Sequence, residues 1–254
     1  MTTLARLLRP AVIAVGLLIF WQAVVWISAA PPYILPDPMA VAVAWWERAP
    51  VILEHAGITA LEIVLGLALG TAIGLAAATT LAVARGARPW LLPILVVSQA
   101  IPVFALAPLL VLWLGFGLAS KVAMAALIIF FPVTAAFYDG LRRVDPLWLD
   151  AARTLGCTGP SLFRRISVPA ALPALASGLR VATATAPIGA VVGEWVGSSA
   201  GLGYLMLHAN GRVQTDLMFA ALFTLAILSV ALYTAMDSGL RRLVAWQPGE
   251  MAES

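Results

Sequence analysis

Long apolar runs, each bounded by proline, glycine or charged residues, are the main pattern along this sequence of 254 residues. About 20 apolar residues in a helix cross the roughly 30 Å hydrocarbon core of a bilayer, because each residue adds about 1.5 Å. Six runs approach this length and predict six membrane-spanning helices. They cover residues 10–29, 58–84, 90–114, 121–138, about 170–196, and 217–236.

The first run has an alternative interpretation as a cleaved signal peptide. Arg6 and Arg9 precede it, and Ser28-Ala29-Ala30 resembles a cleavage site. The run is longer than the usual apolar segment of a signal peptide, and Pro31 stands where the mature chain would begin. We therefore expect a retained spanning helix.

Two runs carry further signals about packing. The second run contains Gly66, Gly70 and Gly74, and small residues at this spacing form a groove in which another helix packs closely. The third run is broken by prolines, which free backbone carbonyls that need a partner. It is expected either to be a kinked packing helix or to line a cavity. Its prolines are Pro93, Pro102 and Pro108.

Composition narrows the fold class. The chain is 62% hydrophobic and 11% charged, with a mean hydropathy of +0.99. Soluble domains carry about 25% charged residues, and disordered chains have far less apolar surface than this one. We therefore predict an all-α polytopic membrane protein of about six transmembrane helices.

The basic residues predict the orientation. With the N-terminus inside, twelve of the fifteen Lys and Arg residues lie in inside segments, counting Arg180 with the loop before the fifth span. The outside segments then hold Arg48, Lys121 and Arg212. This bias follows the positive-inside rule. It predicts a multi-pass protein with both termini in the cytoplasm.

The sequence lacks the residue patterns that most kinds of catalysis require. The single lysine, Lys121, is not in a P-loop, so no ATP site is expected in this chain. One cysteine and two histidines predict no metal site, and no nucleic-acid partner is expected. Residues 197–201 and His208 allow a membrane-embedded serine protease as an alternative, although no third group would orient the histidine.

The polar segment between the fourth and fifth spans has its own helix signals. Asp145 is a good N-cap, Pro146 suits the first helical position, and Gly156 suits a helix end, so residues 147–155 are predicted as a short amphipathic helix. Gly159-Pro160 starts a second short helix that is expected to end near Val168-Pro169. Two helices here suit the docking of a cytoplasmic partner. The alternative is a solvated loop whose arginines contact lipid headgroups.

This loop resembles the EAA loop of binding-protein-dependent ABC importer permeases. Its pattern is Glu-Ala-Ala, three residues, Gly, nine residues, then Ile-x-Leu-Pro, and the spacing here agrees at each step. Asp150 replaces the Glu and Val168 replaces the Leu. The resemblance implies coupling helices that dock on a separate ATPase subunit, which would bind ATP and Mg²⁺. The residues carried over are Asp150, Ala151, Ala152, Gly156, Ile166, Val168 and Pro169.

A closer resemblance is to permeases of the nitrate/sulfonate/taurine class. It rests on Leu35–Pro38, on Pro108–Gly115, and on Glu194 followed by Gly201–Tyr204. Two further segments, at residues 98–105 and 130–134, are similar to permeases assigned to hydroxymethylpyrimidine, a thiamine precursor. The resemblance implies transport of a small polar solute of this kind, with a sulfonate, taurine or nitrate as the alternative. A stand-alone channel is the alternative from another class.

The resemblance also implies an organisation, a set of partners and a location in the bacterial inner (plasma) membrane. Residues 1–55 would form an N-terminal helix and an outside proline-rich segment, 56–240 the transmembrane domain, and 241–254 a cytoplasmic tail. The expected partners are two copies of the ATPase, a periplasmic or lipid-anchored substrate-binding protein, membrane lipid, and a second permease protomer that makes a homodimer.

Ionisable and polar residues inside the spans are candidates for the substrate path, because they are costly there. Glu194 is expected to face the path, with an interfacial glutamate reaching headgroup water as the alternative. Ser98 and Gln99 in the third span, and Thr183 in the fifth, would contact substrate or bond to a neighbouring helix. Glu62 is expected to anchor its helix at the membrane interface.

Overall fold

The computed structural model describes residues 3–246, with side chains from Val12 onward except that of Arg85. Within these residues the chain is helical and contains no β-strand. The basic side chains of Arg6, Arg9 and Arg85, and tail residues 247–254, lie outside the described part. The α-helices are α1 (Thr3–Ser28), α2 (Pro38–Glu47), α3 (Ala49–Val83), α4 (Arg88–Ala100), α5 (Val103–Leu114), α6 (Leu118–Arg142), α7 (Pro146–Thr154), α8 (Gly159–Leu162), α9 (Val168–Gly197), α10 (Leu202–Gly211) and α11 (Thr215–Leu243).

The apolar runs correspond to helices, which confirms the predicted fold class. Among the described residues, α3, α6, α9 and α11 are each long and apolar enough to cross a membrane, and α4 with α5 makes a fifth span if the pair is counted as one. The described apolar part of α1, Val12–Ser28, is shorter. The second run was predicted to begin at residue 58, whereas α3 begins nine residues earlier, at Ala49.

The third run is two helices rather than one interrupted helix. The axes of α4 and α5 differ by 101°, and the chain turns at Ile101-Pro102. Ile101 has the extended backbone that a residue before proline favours. The predicted breaks at Pro93 and Pro108 are wrong, because both residues lie inside helices. Only Pro102 separates the two.

Close contacts among α3, α6 and α9 form the centre of the bundle. A Cβ added at Gly66 would overlap that of Ala125 in α6, and one at Gly70 would come within 2.8 Å of Ile129. A Cβ at Gly74 would lie 2.9 Å from Val133 of α6. A Cβ at Gly189 of α9 would lie 2.6 Å from the backbone of the same residue, Ala125. Glycine therefore lets both neighbours approach the backbone of α6.

The loop between α6 and α9 follows its predicted signals in its first half. The Asp145 carboxylate accepts a hydrogen bond from the Leu147 amide at 2.8 Å, as an N-cap should, and α7 ends before Gly156, whose φ is +87°. The second half differs from prediction. The short helix α8 passes through a π-helical turn, Phe163–Ser167, directly into α9. It does not end at Val168-Pro169, because the Val168 amide donates to the Phe163 carbonyl across the π-helical turn and the helix continues past Pro169.

Two short helices occupy segments that had been expected to be loops. Asp37 caps α2, accepting from the Ala40 amide at 2.7 Å, so the proline-rich segment becomes a helix at Pro38. The segment between the fifth and sixth spans contains α10, which lies against α9, α3 and α11. Both helices are too short to span a membrane.

Arg180 is also placed differently from the expectation. It lies inside α9 rather than in the preceding loop, and its Nε donates to Asp237 of α11 at 2.7 Å. Arg241 donates to the other oxygen of the same carboxylate at 2.8 Å. Asp237 therefore joins α9 to α11 near the end of α11.

Replacing Gly66 by alanine tests the close contact between α3 and α6. The added methyl overlaps Ala125, and overpacking of this kind costs about 1–3 kcal/mol. The matched control is Gly57→Ala in the same helix, where a Cβ meets nothing within 4 Å. We expect the melting temperature of the purified protein to fall for Gly66→Ala and to stay or rise for Gly57→Ala. Equal melting temperatures for the two variants would contradict the packing described.

Candidate functional site

An apolar stripe on the outward face of α7 is the clearest candidate site. Leu147, Trp148 and Leu155 have exposed fractions of 74%, 59% and 86%. Leu147, Ala151 and Leu155 follow one another at four-residue spacing, so they share one face of the helix. The loop between α6 and α9 is otherwise polar and basic. An apolar face of this kind, rimmed by charge, is typical of a protein-binding surface.

Beside this stripe, α7 packs on the second half of the same loop. Ala152 is buried, and its carbonyl accepts a hydrogen bond from the Cys157 amide at 2.9 Å. Asp150 forms an ion pair with Arg153 at 2.6 Å, with both side chains more than half exposed. Exposed pairs contribute little to stability. The two predicted alanines thus have different positions, since Ala151 is exposed and Ala152 is buried.

The remaining motif residues lie where the loop joins α9. Ile166 is half-buried in the π-helical turn, and Val168 packs against the main apolar core. Pro169 occupies the first turn of α9. The motif therefore runs from the exposed stripe, through a break at Gly156, to the core at Val168.

At the other end of the bundle, a buried polar cluster surrounds Glu194. The carboxylate is 1% exposed. One oxygen accepts from the Thr59 hydroxyl at 2.6 Å, and the other accepts from the amides of Gly203 and Tyr204 in the first turn of α10. These amides have no partner within their own helix, so Glu194 caps α10. A carboxylate is also favoured there by the helix dipole.

Residues of α3 complete the attachment of α10. The Leu202 amide donates to the Thr59 hydroxyl at 2.8 Å, and the Gly201 amide donates to His55 Nδ1 at 2.9 Å. The ring of Tyr204 lies beside His55, with centroids 5.9 Å apart. Gly201 has a φ of +108°, and a Cβ there would collide with the Glu194 carboxylate. The turn into α10 therefore requires glycine.

A buried ion pair lies next to this cluster. Glu62 and Lys121 are 0% and 6% exposed, with Nζ and Oε1 3.4 Å apart. The Glu62 carboxyl group also lies close to that of Glu194. The expectation that Glu62 anchors at the membrane interface is wrong, because its side chain is enclosed by α3, α6 and α9. Removing one partner of such a pair costs about 3–5 kcal/mol.

Sequence reasoning did not connect these residues, although a signal was present. His55, Thr59 and Glu62 are spaced by four and three residues, which places them on one face of a helix. The same face continues through the glycine series that begins at Gly66. One face of α3 is thus polar near α10 and glycine-rich further along, where it meets α6.

The other predicted path residues are spread over the bundle. Gln99 is exposed near the end of α4, and the neighbouring Ser98 donates to the Leu95 carbonyl at 2.7 Å. Thr183 is buried and donates to the Leu179 carbonyl of its own helix at 2.7 Å. It lines an apolar cavity of about 430 Å³ between α3, α9 and α11. The structure does not bring these three residues together with Glu194 into one pocket.

The serine protease alternative finds little support in this geometry. The Ser198 hydroxyl donates to the backbone carbonyl of Ala200. The ring of His208 stacks on Tyr204, with centroids 5.0 Å apart. Among the described residues, no group of three or more metal-ligating side chains is assembled.

Comparison with known proteins identifies similar transport proteins over almost the whole chain. A probable ABC transporter permease protein of Haemophilus influenzae is 55% identical, over 94% of this chain and 98% of that one. The formylaminopyrimidine transport permease protein ThiX of Halalkalibacterium halodurans is 34% identical, over 94% of this chain and 96% of that one. The fold agrees with a chain of the MetNI methionine ABC transporter in an inward-facing conformation, with a TM-score of 0.67 and 21% identity over 78% of this chain and 98% of that one.

The family described as "Binding-protein-dependent transport system inner membrane component" matches residues 70–246. This match spans the α3 glycines from Gly70 onward, α7 with its apolar stripe, and the α9–α10 cluster. The resemblance to ABC importer permeases of the sulfonate and taurine class is confirmed. The chain belongs to this family and is a multi-pass permease subunit of an ABC importer.

Proposed function

We propose that α7 docks in a groove of a separate ATPase subunit and transmits its movement to the spanning helices. The exposed stripe of Leu147, Trp148 and Leu155 is the observation that carries this proposal. ATP and Mg²⁺ would bind to that subunit, since no P-loop occurs in this chain. Because α7 follows α6 after three residues and packs on the π-helical turn that leads into α9, a pull on α7 would act on both helices.

The same proposal sets the orientation of the chain. The α7 end carries the arginine-rich segments and would face the cytoplasm, with both termini on that side. The α10 end would face outside and receive the substrate from a soluble or lipid-anchored binding protein. Two ATPase copies and two copies of this chain would form the transporter, and rigid-body movement of the two permeases would open the path alternately.

A thiamine-precursor pyrimidine is the proposed substrate. Similarity over nearly the full length to a formylaminopyrimidine permease supports this class of solute. Gln99 is exposed beside the bend between α4 and α5, so its amide is available to a polar heterocycle at a surface between two protomers. Ser98 and Thr183 would contribute hydroxyl groups if movement of the helices turned them toward the path.

Glu194 would act on the path by holding α10. Both carboxylate oxygens are occupied by Thr59 and the amides of α10, so the side chain fixes the helix beside the outer opening. This role differs from direct binding of substrate, which would need a carboxylate open to the path rather than a residue that is 1% exposed. The two roles predict different effects of substitution.

Substitution of Leu155 tests the docking of α7. We expect Leu155→Ser to lower the amount of ATPase that co-purifies with the tagged permease in mild detergent by at least several-fold, with an unchanged melting temperature, because the side chain touches little of its own chain. Leu243→Ser is the control, since this exposed leucine lies at the end of α11. Normal co-purification of the ATPase with both variants would disprove this role of α7.

Substitution of Glu194 separates the two roles of that residue. Glu194→Ala leaves buried donors without an acceptor, at about 1–3 kcal/mol each, so we expect a marked loss of thermal stability. Glu194→Gln keeps one acceptor oxygen, so its thermal stability should lie between that of Glu194→Ala and that of the wild type. Glu54→Ala, at an exposed position of α3, should have no effect. If Glu194→Ala kept full stability and lost only uptake, the residue would be a substrate ligand instead.

A further inference from the structure

The short helix α2 presents an apolar surface that the rest of the chain leaves open. Met39, Val43 and Trp46 are 71%, 46% and 79% exposed. The opposite face is buried, with Val41 and Ala44 packed inward. The polar residues of this segment, Asp37 and the pair Glu47-Arg48, stand only at its two ends. A helix between two spans would ordinarily show polar residues to water.

Contacts with α11 fix the depth of α2 in the bundle. The indole nitrogen of Trp45 donates to the Thr224 hydroxyl at 3.0 Å. Thr224 is nine residues beyond Thr215, where α11 begins, which corresponds to about 14 Å along the helix axis. The apolar run of α11 begins at Leu217, only two residues into the helix. This part of α2 therefore lies beside the apolar part of α11, below its polar end.

The backbone of α2 is suited to that depth. In hydrocarbon every amide and carbonyl needs a partner within the protein. The Asp37 side chain accepts from the Ala40 amide, and the Asp37 carbonyl accepts from the Val41 amide at 3.2 Å. At the other end, the Arg48 amide donates to the Ala44 carbonyl at 3.0 Å. At each end of this ten-residue helix, some of the terminal backbone groups are thus paired within the chain.

The exposed face of α1 is apolar as well. Leu17 and Phe20 are 63% and 67% exposed. Between α1, α2 and α11 lies an open apolar groove of about 330 Å³, lined in part by Leu18, Val41 and Phe223. The exposed side chains of α2 therefore continue the apolar surface of α1 without a polar boundary.

We propose that α2 is embedded in one leaflet of the membrane, with Met39, Val43 and Trp46 packed against phospholipid acyl chains. The helix lies in the outer part of the hydrocarbon layer, at the α10 end of the bundle, and does not cross this layer. The segment between α1 and α3 is then a lipid-binding surface rather than a loop in water. Acyl chains fill the groove beside Val41.

Spin-label accessibility tests this assignment in the complete transporter. The labels would be attached to Met39→Cys, Val43→Cys and Trp46→Cys, each combined with Cys157→Ser, in nanodiscs of phosphatidylethanolamine and phosphatidylglycerol. Collision with dissolved oxygen, which concentrates in hydrocarbon, is compared with collision with a water-soluble nickel chelate. We expect collision with oxygen to exceed collision with the nickel chelate several-fold at the three positions. The lipid control is Ile19→Cys on α1, 63% exposed, and the water control is Glu54→Cys.

Two other results would overturn the assignment. A nickel preference like that of Glu54→Cys would show that α2 faces water. Protection from both reagents would show that a protein surface, either a second copy of this chain or a binding protein, covers the helix. A variant that fails to assemble can be replaced by its neighbour on the same face, since each of the three positions tests the same surface.

Discussion

Polar groups inside a hydrocarbon layer must find their partners within the protein, and the structure depends on this constraint. Backbone groups satisfy it by forming helices, and the helices then associate through van der Waals contact, which favours glycine where backbones approach. The series from Gly66 to Gly74 allows α3 to touch α6, and Gly189 allows α9 to approach the same helix at Ala125. Three helices thus form one closely packed unit.

This unit determines where charged side chains can lie. Glu62 and Lys121 are enclosed because α3, α6 and α9 approach so closely, and their charges offset one another. Glu194 is buried nearby, and its carboxylate caps α10 by accepting hydrogen bonds from two amides in the first turn of that helix. At the other end, the loop between α6 and α9 leaves the membrane and exposes apolar side chains. Rigid packing in the middle therefore links a polar cluster at one end to an apolar stripe at the other.

Part of this arrangement could be predicted from the sequence. Hydrophobic run length identified the spanning helices, and Asp145 with Gly156 identified α7, because caps and apolar periodicity are local signals. The 101° bend at Pro102 could not be predicted, since Pro93 and Pro108 carry the same local signal and do not break their helices. The cap of α10 by Glu194 could not be predicted either, because Glu194, Thr59 and the α10 amides come together only through the packing of α3 and α9. The contrast between exposed Ala151 and buried Ala152 likewise depends on how α7 sits on the π-helical turn.

The central claim is that α7 is the surface on which an ATPase acts. Hydrogen–deuterium exchange of the permease in nanodiscs, measured with and without its ATPase, tests it most directly. We predict that amides of residues 147–155 exchange several-fold more slowly in the complex, while residues 49–57 at the opposite end exchange at the same rate. Unchanged exchange across 147–155 in a complex that hydrolyses ATP would contradict the account.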